Sequence, residues 1–391
     1  MGSGRKIMVV AGEASGDQHA AKVVRELRSM LDADVEFFGS VGEKLRSEGV
    51  EAIVRADDLS IVGLLEIGRA LPIFLRAFRR LTTEARERRP DVAILVDFPD
   101  FNLKLAKALK KQGIRVVYYI SPQLWAWRKY RIRSVRKYVD LLLVILPFEK
   151  KWFADHGVEH VEYVGSPLAR EVHANISKAQ FCEKHDIDPA KPIVSLLPGS
   201  RHKEIVRVLP VMLAAAAEMS KNDPNIQFLI ALAGGRKQNE VDEAINSLSD
   251  EIKLPVFLKS INSETYDALN ASDAAAVTSG TATLEAAIIG TPMAIVYKTS
   301  TINYRLLRPL ITVEHFGLVN LIAEKRIAKE LIQSEFKSES LAVEMERLLE
   351  PAVNQNARQE LAETVEKLGH GGASRRAAEA ILREFDKNSG L

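Results

Sequence analysis

The sequence predicts an α/β protein made of two Rossmann-like, doubly wound domains. Short apolar segments, which we expect to be strands, alternate with segments of helical periodicity, as in the β-α repeats that build parallel sheets. The alternation runs from Ile7 to Val164 and begins again at Ile193. The chain of 391 residues has room for two such domains at about 150 residues each.

The first domain is predicted to span residues 1–167. Its opening strand, Ile7–Ala11, is followed by a turn at Gly12–Gly16 and by a helix at Asp17–Leu31. Later strands are predicted at Val92–Val96, Val116–Ile120, Leu141–Ile145 and His160–Val164. Most are apolar with little alternation, which is typical of parallel strands covered on both faces.

The second domain is predicted to span residues 168–345, and residues 346–391 are predicted to form a helical tail. Strands are expected at Ile193–Leu197, Gln227–Ala231, Val256–Leu258, Ala274–Val277 and Met293–Val296. We expect the two domains to face a central cleft, since doubly wound sheets bind ligands beyond the carboxyl ends of their strands.

The composition narrows the class of protein. Hydrophobic residues make up 47% and charged residues 27%, which is typical of a globular protein and excludes a disordered or collagen-like chain. The net charge of +2 does not indicate nucleic-acid binding. Cys182 is the single cysteine, so we expect no intramolecular disulfide and no multi-cysteine zinc site, and we predict a cytoplasmic protein. No metal ligand set and no cofactor are predicted.

The turn 12–17, with the sequence Gly-Glu-Ala-Ser-Gly-Asp, is the first candidate binding segment. A helix that begins after a glycine-containing turn offers N–H groups to an anion, and Glu13, Ser15 and Asp17 add polar side chains. The alternative is ordinary capping of the helix by serine or aspartate. The segment does not match the dinucleotide or P-loop fingerprints.

Asp97 is the candidate general base. It directly follows the apolar strand Val92–Val96 and precedes Phe98. A carboxylate at the mouth of a parallel sheet suits a base whose pKa is set by partial burial. Helix capping is the alternative, but Asp100 is better placed for it, just before the next helix.

Two of the three tryptophans, Trp125 and Trp127, follow the strand at Val116–Ile120 and are expected either to wall a ligand site or to join the core. The basic segment Arg128–Lys137 suits a solvated helix face or contact with anionic lipid headgroups. Residues 61–80 combine apolar side chains with arginines, and a buried amphipathic helix is favoured there over an interfacial one.

The second domain contains two turns suited to anions. Residues 197–201 link a strand to a helix and end with Arg201, whose guanidinium beside a helix N-terminus suits a diphosphate. Residues 279–283 precede the helix that carries Glu285, a carboxylate suited to a ribose diol. The alternative is capping by Thr281 and Thr283, with Glu285 favourable to the helix dipole. Because two such turns occur in one domain, we favour binding of a nucleotide diphosphate over chance occurrence of two capping motifs.

These segments together closely resemble the lipid-A-disaccharide synthase family, which comprises bacterial glycosyltransferases of the GT-B fold. The matching segments, in family order, are 12–17, Asp97 with 99–102, 121–122 with 125–128, 146–149, 197–201 with Glu204, 279–285 and 320–322. They span nearly the whole chain. Each is weak alone, and their combination is highly specific.

The resemblance implies a reaction in lipid A biosynthesis. The expected reaction is an inverting transfer of 2,3-diacylglucosamine from UDP-2,3-diacylglucosamine to the 6-hydroxyl of 2,3-diacylglucosamine 1-phosphate (lipid X). The products would be a β-1′,6-linked disaccharide 1-phosphate and UDP. The resemblance also implies that the protein associates with the anionic cytoplasmic face of the inner membrane. Residues 61–78 and Arg128–Lys137 then become candidates for contact with the membrane and with acyl chains. A homodimer is a further expectation, and nucleic acid is not an expected partner.

The resemblance assigns site residues as well. Asp97 would be the catalytic base, Arg201 and the helix that starts near Thr281 would hold the diphosphate, and Glu285 would hold the ribose. The full set of expected substrate-binding residues is Glu13, Ser15, Gly16, Asp17, Trp125, Trp127, Arg201, Ser279, Gly280, Thr281, Glu285, Asn320 and Gln333. Val319 stands where the family commonly has proline, so the loop 314–320 is expected to be less rigid.

Two alternatives stay open. One is another GT-B enzyme acting on a UDP-N-acetylhexosamine, either a 2-epimerase or a lipid-linked glycosyltransferase; indifference to detergent would favour the epimerase. The other is a catalytically silent nucleotide-binding or membrane-surface module, which UDP binding without turnover would support.

Overall fold

The chain forms two compact units. The computed structural model describes residues 5–31, 34–60, 67–236, 238–249, 251–300, 304–305, 313–369 and 371–386. The first unit comprises Met1–Pro167 and His370–Leu391, and the second comprises Leu168–Gly369. Each unit contains one parallel sheet with helices between its strands, which confirms the predicted α/β class.

The first unit contains the following elements in chain order. They are β1 (Arg5–Ala11), α1 (Ala14–Met30), β2 (Val35–Val41), α2 (Glu43–Ser47), β3 (Glu51–Arg55), α3 (Asp57–Ser60), α4 (Ile67–Arg88), β4 (Val92–Val96), α5 (Pro99–Lys111), β5 (Arg115–Tyr119), a 3₁₀ helix (Lys129–Arg131), α6 (Ile132–Tyr138), β6 (Leu141–Val144), α7 (Pro147–Asp155) and β7 (Val161–Tyr163).

The second unit follows with a similar alternation. Its elements are α8 (Leu168–Glu171), α9 (Lys178–Lys184), β8 (Ile193–Leu197), α10 (His202–Asn222), β9 (Gln227–Leu232), α11 (Gln238–Asn246), β10 (Leu258–Asn262), α12 (Thr265–Ala271), β11 (Ala274–Thr278), α13 (Thr281–Ile289), β12 (Met293–Tyr297), α14 (Leu318–Ala323), β13 (Glu330–Ile332), α15 (Ser338–Leu349) and α16 (Pro351–Glu366). The helix α17 (Ala373–Asp386) ends the described chain.

The strand order reverses once in each sheet. The described strands of the first unit are ordered β3-β2-β1-β4-β5-β6-β7, and those of the second are ordered β10-β9-β8-β11-β12-β13. The chain therefore winds outward in one direction from β1 and in the other from β4, and likewise from β8 and β11. The helices that follow these paired strands leave on opposite sides, which opens a crevice at the carboxyl edge of the sheet.

Both faces of the central strands are buried. In β1, Met8 and Val10 join one apolar cluster, whereas Ile7, Val9 and Ala11 join another on the opposite face. Alternate side chains of a strand point to opposite faces, so burial on both faces explains the continuous apolar run. Full burial of each aliphatic side chain of valine size or larger is worth about 1.5–3 kcal/mol.

One predicted strand lies elsewhere. The prediction at Val256–Leu258 was wrong, because β10 begins at Leu258 and runs through a mixed polar segment to Asn262. Val256 is 93% exposed. Strand β10 lies at the edge of the sheet, where one side has no neighbouring strand, so its sequence is less apolar than that of a central strand. The apolar pattern that predicts central strands therefore misses its true position.

Residues 346–391 do not form one tail. Helix α16 contributes Ala357 and Leu361 to the apolar clusters of the second unit. Helix α17 instead packs on the first unit, where Ile381 and Phe385 join the cluster that also contains residues of α1. The Arg376 Nε atom donates a 2.8 Å hydrogen bond to the Val164 carbonyl, which ties α17 to the same unit. The apolar face of α17 explains this placement, since an amphipathic helix is stable only where that face is covered.

Ile381→Ala tests the assignment of α17 to the first unit. Ile381 is fully buried, and truncation of such a side chain costs about 2–5 kcal/mol of unfolding free energy because a cavity remains. Hydrogen exchange measured by mass spectrometry should become faster in β1 and α1 and stay unchanged in β8 and β11. Val343→Ala, at an exposed position of α15, is the matched control and should leave both units unchanged. Faster exchange confined to the second unit would contradict the assignment.

Candidate active site

Most of the predicted site residues lie at the two crevices where strand order reverses. In the first unit Glu13 follows β1 and Asp97 follows β4, and these strands end level because Ala11 pairs with Val96. In the second unit Arg201 follows β8 and Ser279 follows β11. Parallel strands bring their carboxyl ends to the same edge, so each pair of loops converges although the residues lie far apart in sequence.

The backbone around Asp97 adopts an unusual turn. Asp97 and Phe98 have φ angles of 47° and 52°, in the left-handed region that residues with a Cβ atom rarely adopt. The Asp97 carbonyl accepts hydrogen bonds from Asn102 Nδ2 at 2.8 Å and Tyr118 Oη at 2.7 Å. The Asp97 N–H donates to the Tyr119 carbonyl at 3.0 Å. These three bonds hold the turn and fix the direction of the carboxylate.

The Phe98 ring completes this turn. It packs against Phe74 and Phe101, with ring centroids 6.0 and 5.5 Å away. A Cβ atom at Gly12 would lie 2.3 Å from the Phe98 ring. The glycine that opens the turn 12–17 is therefore required because the aromatic ring approaches its backbone closely. The loop after β1 and the loop after β4 are therefore in close contact at Gly12 and Phe98.

The pKa of Asp97 is raised to about 6. Burial of the carboxyl group is the largest cause, the negative charge of Glu13 adds to it, and a hydrogen bond from the Phe98 backbone opposes it. Because a general base works best with a pKa near the working pH, this value suits proton abstraction at neutral pH. Glu13 itself is exposed at the N-cap of α1, beside the predicted base.

Asp17 has a structural partner within the first unit. Its side chain is 3% exposed and accepts hydrogen bonds from the backbone N–H groups of Gly42, at 2.6 Å, and Lys44, at 2.8 Å. It therefore caps the N-terminus of α2, and both oxygens are occupied. Of its neighbours in the turn, Ser15 is exposed and Gly16 is buried. Ser15 is thus the better placed of the three for contact with a ligand.

The two predicted tryptophans have different environments. Trp125 is 5% exposed, and its Nε1 donates to Glu149 Oε1 at 3.0 Å. Glu149 is itself buried and also accepts from Ser121 Oγ at 2.7 Å, so Trp125 belongs to a buried polar network that fixes the loop after β5. Trp127 is 40% exposed and lies beneath the Arg128 guanidinium, 4.2 Å from its ring centroid. Only Trp127 of this pair is available to a ligand in this conformation.

A cavity of about 550 Å³ lies within the second unit. It is bounded by the loops after β8, β9, β10 and β11, and its lining includes the predicted residues Arg201, Ser279, Gly280, Thr281 and Glu285. The structure therefore brings together five predicted residues that are separated by up to three β-α units. This size is within the range of small-ligand pockets.

The two helix N-termini at this cavity differ. At α10, Glu204 accepts hydrogen bonds from the backbone N–H groups of Ser200, at 3.2 Å, and Arg201, at 3.3 Å. Its other oxygen accepts from Arg201 Nη1 at 2.8 Å, although 81% of the arginine side chain is exposed. Helix α13 begins after Gly280 without a side-chain cap. An anion at α10 would compete with Glu204, whereas α13 offers its first turn directly.

Glu285 lies one turn inside α13 and faces the same cavity. Burial raises the pKa of its carboxyl group, and a hydrogen bond from Tyr266 lowers it. Tyr266 also lines the cavity, on α12. Tyr266 is not among the site residues predicted from the sequence, since no local pattern links a tyrosine after β10 to a glutamate after β11.

Asn320 and Gln333 are held by the protein itself. Asn320 is fully buried: its Nδ2 donates to the Ala328 carbonyl at 2.7 Å and to Glu330 Oε1 at 2.9 Å, and its Oδ1 accepts from the Ala328 N–H at 2.9 Å. Gln333 pairs with the backbone of Thr299 through both ends of its amide. Val319 is buried in α14 and the Asn320 amide is hydrogen-bonded at both ends, whereas the lower rigidity of the loop 314–320 stays a prediction.

A buried network connects Asn320 to the cavity wall. Glu330 accepts hydrogen bonds from Asn320 and from the Phe316 N–H at 3.0 Å. Ser279 Oγ in turn donates to the Phe316 carbonyl at 2.8 Å. Asn320 is thus placed to support the cavity wall from behind. Sequence motifs signal that such a residue matters without distinguishing support from contact.

Two other predictions concern membranes and metals. Residues 61–66 lie outside the described residues, and the described continuation of that segment is α4. Within the described part of the chain, every helix is too short or too polar to cross a lipid bilayer. Among the same residues, no three histidine, cysteine, aspartate or glutamate side chains gather in a way that could hold a metal ion.

Solved structures define the class of fold. The UDP-N-acetylglucosamine 2-epimerase from Neisseria meningitidis matches with a TM-score of 0.65 at 15% identity, over 97% of this chain and 100% of that one. The calicheamicin glycosyltransferase matches with a TM-score of 0.61 at 14% identity, over 99% and 100% of the two chains. With two parallel sheets that each reverse strand order, the protein has the GT-B fold.

The sequence defines the family within that class. The model of the Lipid-A-disaccharide synthetase family matches residues 7–385. The Lipid-A-disaccharide synthase of Syntrophus aciditrophicus is 42% identical over 385 residues, which cover 98% of each chain. That of Trichlorobacter lovleyi is 39% identical over 389 residues, which cover 99% of this chain and 100% of the relative. The chain belongs to the lipid-A-disaccharide synthase family, and it is a glycosyltransferase of lipid A biosynthesis with a UDP-sugar donor and a lipid acceptor.

The burial of Asp97 predicts a pH-dependent effect of Asp97→Asn on stability. The native carboxyl group binds its proton up to about pH 6, whereas the unfolded chain releases it near 3.8. Between these values the native state holds more protons, so this group lowers stability as the pH rises. Above the upper value the cost is about 3 kcal/mol.

Asp97→Asn should therefore stabilise the protein, and the gain should grow from about pH 4 to about pH 7 and then level off. Denaturant unfolding of the variant and the wild type, compared at each pH, measures the difference. Asp91→Asn, at the exposed position just before β4, is a control without such burial. A gain that does not change with pH would contradict the raised pKa.

Proposed function

We propose that the protein transfers 2,3-diacylglucosamine from UDP-2,3-diacylglucosamine to the 6-hydroxyl of 2,3-diacylglucosamine 1-phosphate, with inversion at the anomeric carbon. The products are a β-1′,6-linked disaccharide 1-phosphate and UDP. The single observation that carries this proposal is the half-buried Asp97 carboxylate, with its pKa raised to about 6, at the crevice of the first unit. Membership of the family supplies the substrate class.

In this reaction Asp97 acts as the general base. Its carboxylate accepts the proton of the acceptor 6-hydroxyl as that oxygen forms a bond to the anomeric carbon of the donor sugar. The bond from that carbon to the UDP oxygen breaks on the opposite side, so UDP leaves with the electron pair. One displacement gives inversion without a covalent sugar–protein intermediate, and Asp97 then releases its proton to solvent.

The cavity of the second unit is the proposed donor site. The N-terminus of α13, which has no side-chain cap, would receive the diphosphate, and Glu285 would accept hydrogen bonds from the ribose hydroxyls. Arg201 would leave Glu204 and stabilise the negative charge that develops on UDP. Its exposed side chain makes this exchange inexpensive, since surface ion pairs contribute about 0–1 kcal/mol.

A direct assay tests the reaction. Purified protein in mild neutral detergent with a chelator would be mixed with UDP-2,3-diacylglucosamine and 2,3-diacylglucosamine 1-phosphate, and mass spectrometry would identify the products. The proposal predicts the disaccharide 1-phosphate and UDP. Epimerisation or hydrolysis of UDP-N-acetylglucosamine without disaccharide would contradict it, and so would UDP binding without any turnover.

The role of Asp97 predicts a specific kinetic change. Asp97→Asn should lower kcat by about 10²–10⁴-fold and leave UDP affinity unchanged, since loss of a general base removes proton transfer alone. The wild-type kcat/KM should fall below about pH 6, where the carboxylate becomes protonated, and this decline should be absent in the variant. Activity close to wild type in the variant would remove Asp97 from the reaction.

Arg201→Ala tests the donor site. It should raise the KM for the UDP-sugar and lower kcat, because the guanidinium is expected to bind the diphosphate more strongly as the bond to UDP breaks; together the loss in kcat/KM should be about 10- to 100-fold. Lys203→Ala, which removes a neighbouring exposed charge outside the cavity lining, is the control and should have little effect. Equal kinetics in both variants would exclude Arg201 from the site.

We also propose that α4 and three exposed basic residues of α6, Arg133, Arg136 and Lys137, contact an anionic membrane. Leu71, Ile73 and Leu75 are 58%, 42% and 47% exposed. With Arg76 and Arg79 nearby, Leu71 and Leu75 line a shallow groove of about 760 Å³. Apolar side chains beside arginines suit a bilayer surface with anionic headgroups.

Sedimentation with vesicles tests membrane contact. Leu71→Ser combined with Leu75→Ser should lower the fraction bound to phosphatidylglycerol vesicles by about threefold or more, because each buried CH₂ contributes about 0.8 kcal/mol. Val343→Ser removes an exposed apolar side chain from the second unit and is the matched control. Unchanged binding of the double variant would contradict the proposal.

A further inference from the structure

Two arginines of the first unit share one aspartate beside the predicted base. Arg128 Nη1 donates to Asp100 Oδ1 at 2.9 Å, and Arg131 Nη2 also donates to this oxygen. Asp100 lies in the first turn of α5, two residues after Phe98. The arginines come from the loop after β5 and the 3₁₀ helix. Because β4 and β5 are adjacent and end level, these groups meet at one edge of the sheet.

Tyr118 links this group to Asp97. Its hydroxyl donates to the Asp97 carbonyl at 2.7 Å. Burial raises the pKa of Tyr118, the charges of Asp97 and Asp100 raise it further, and the charge of Arg131 lowers it. Asp97, Asp100 and Arg131 are thus all near enough to this buried hydroxyl to influence its pKa.

The two arginines are held in place more firmly than ordinary surface cations. Their side chains are 33% and 17% exposed, for Arg128 and Arg131 respectively. The Arg128 guanidinium lies over the Trp127 ring at 4.2 Å, and the Arg128 backbone has a φ of 54°, in the left-handed region. A stacked, hydrogen-bonded guanidinium is already ordered, so it loses little entropy when it binds a ligand.

Charge in this group is unbalanced. Two guanidiniums share the single carboxylate of Asp100, whose side chain is 65% exposed. The exposed aromatic rings of Trp127 and Tyr130 flank them. The two guanidiniums thus carry one positive charge more than the carboxylate to which they are bonded, and an incoming anion can replace or join Asp100 there. A phosphate monoester, with three oxygens and nearly two negative charges, matches two planar guanidiniums.

We propose that Arg128 and Arg131 bind the 1-phosphate of the acceptor lipid. This inference rests on the proposed function, which supplies an acceptor with a phosphate and a reactive 6-hydroxyl on one sugar ring. The two arginines then hold one end of the acceptor while Asp97, at the same sheet edge, meets its hydroxyl. Asp100 keeps the guanidiniums oriented when no acceptor is bound.

Arg128 and Arg131 could instead bind the phosphate groups of bilayer lipids. The degree of burial of their side chains distinguishes these two sources of phosphate. Arg133, Arg136 and Lys137 of α6 are exposed, as suits attraction to a membrane surface. Arg128 and Arg131 are more buried and are aimed at Asp100 next to the base. The acceptor phosphate is therefore the source to which this pair is assigned.

Binding measurements with two acceptors test this assignment. Titration calorimetry in neutral detergent would compare 2,3-diacylglucosamine 1-phosphate with 2,3-diacylglucosamine that lacks the phosphate. Arg128→Ala and Arg131→Ala should each weaken binding of the phosphorylated lipid by about 10- to 100-fold, since each removes charge-assisted hydrogen bonds. Binding of the lipid without phosphate should change by less than about twofold.

Further variants separate recognition from folding. Arg131→Lys keeps the charge without the planar fork and should recover only part of the affinity. Lys104→Ala removes an exposed charge further along α5 and should leave both affinities unchanged. UDP affinity, which belongs to the second unit, should be equal in all variants. An arginine variant that weakens both lipids equally, or neither, would overturn the assignment.

Turnover distinguishes this inference from the proposed function. If wild-type protein binds the phosphorylated lipid in an arginine-dependent way but forms no disaccharide, the proposed reaction fails and the phosphate site stands. If disaccharide forms and the arginine variants keep the wild-type acceptor KM, the phosphate site fails and the reaction stands. Loss of binding to phosphatidylglycerol vesicles with an unchanged acceptor affinity would assign these arginines to the membrane and overturn the proposal.

Discussion

The reversal of strand order in each parallel sheet is the constraint on which both sites depend. At β1 and β4, and again at β8 and β11, adjacent strands send their following helices to opposite sides. The loops at these points have room between them, and helix N-termini face that room. Residues as distant in sequence as Glu13 and Asp97, or Arg201 and Thr281, then come together because hydrogen bonds between strands keep their ends level.

At the first of these crevices, the turn at Asp97 combines strain with fixed geometry. Two consecutive left-handed residues cost about 1–2 kcal/mol each, and desolvation of the carboxylate adds to that. The turn is stabilised by the hydrogen bonds from Asn102 and Tyr118 and by the ring contacts of Phe98. Strain of this kind is commonly stored at functional sites. At Asp97 this geometry leaves the carboxylate partly buried, which destabilises its charged form and makes it suited to accept a proton.

The sequence predicts most of the fold and part of the site. The central strands β1, β4, β8 and β11 lie within two residues of their predicted bounds, because burial on both faces leaves a continuous apolar run. The bounds of the edge strand β10 are not predicted in this way, because an edge strand makes fewer apolar contacts and its sequence is more polar. The sequence also does not predict that α16 packs on the second unit and α17 on the first. Helical periodicity identifies an apolar face but not the surface that covers it.

The site residues divide in the same way. Exposed or half-buried polar residues at strand ends or in the first turns of the following helices, such as Asp97, Arg201 and Glu285, could be recognised from position alone. Residues whose side chains bond within the protein could not be separated from them, because their partners are distant: Asp17 bonds to α2, and Trp125 bonds to Glu149. The matching motifs contain both kinds of residue. The three-dimensional hydrogen-bond pattern is what distinguishes a residue that contacts a ligand from one that supports the site.

The most direct test of this account is the pKa of the Asp97 carboxyl group. Infrared spectra of the wild type minus those of Asp97→Asn, recorded from about pH 4 to about pH 8, isolate the carboxyl stretch of this residue. The expected titration midpoint is about 6, and Glu13→Gln should shift it downward by removing a neighbouring negative charge. A midpoint near the ordinary value of 3.8 would show that the turn does not desolvate the carboxylate, and it would contradict the role assigned to Asp97.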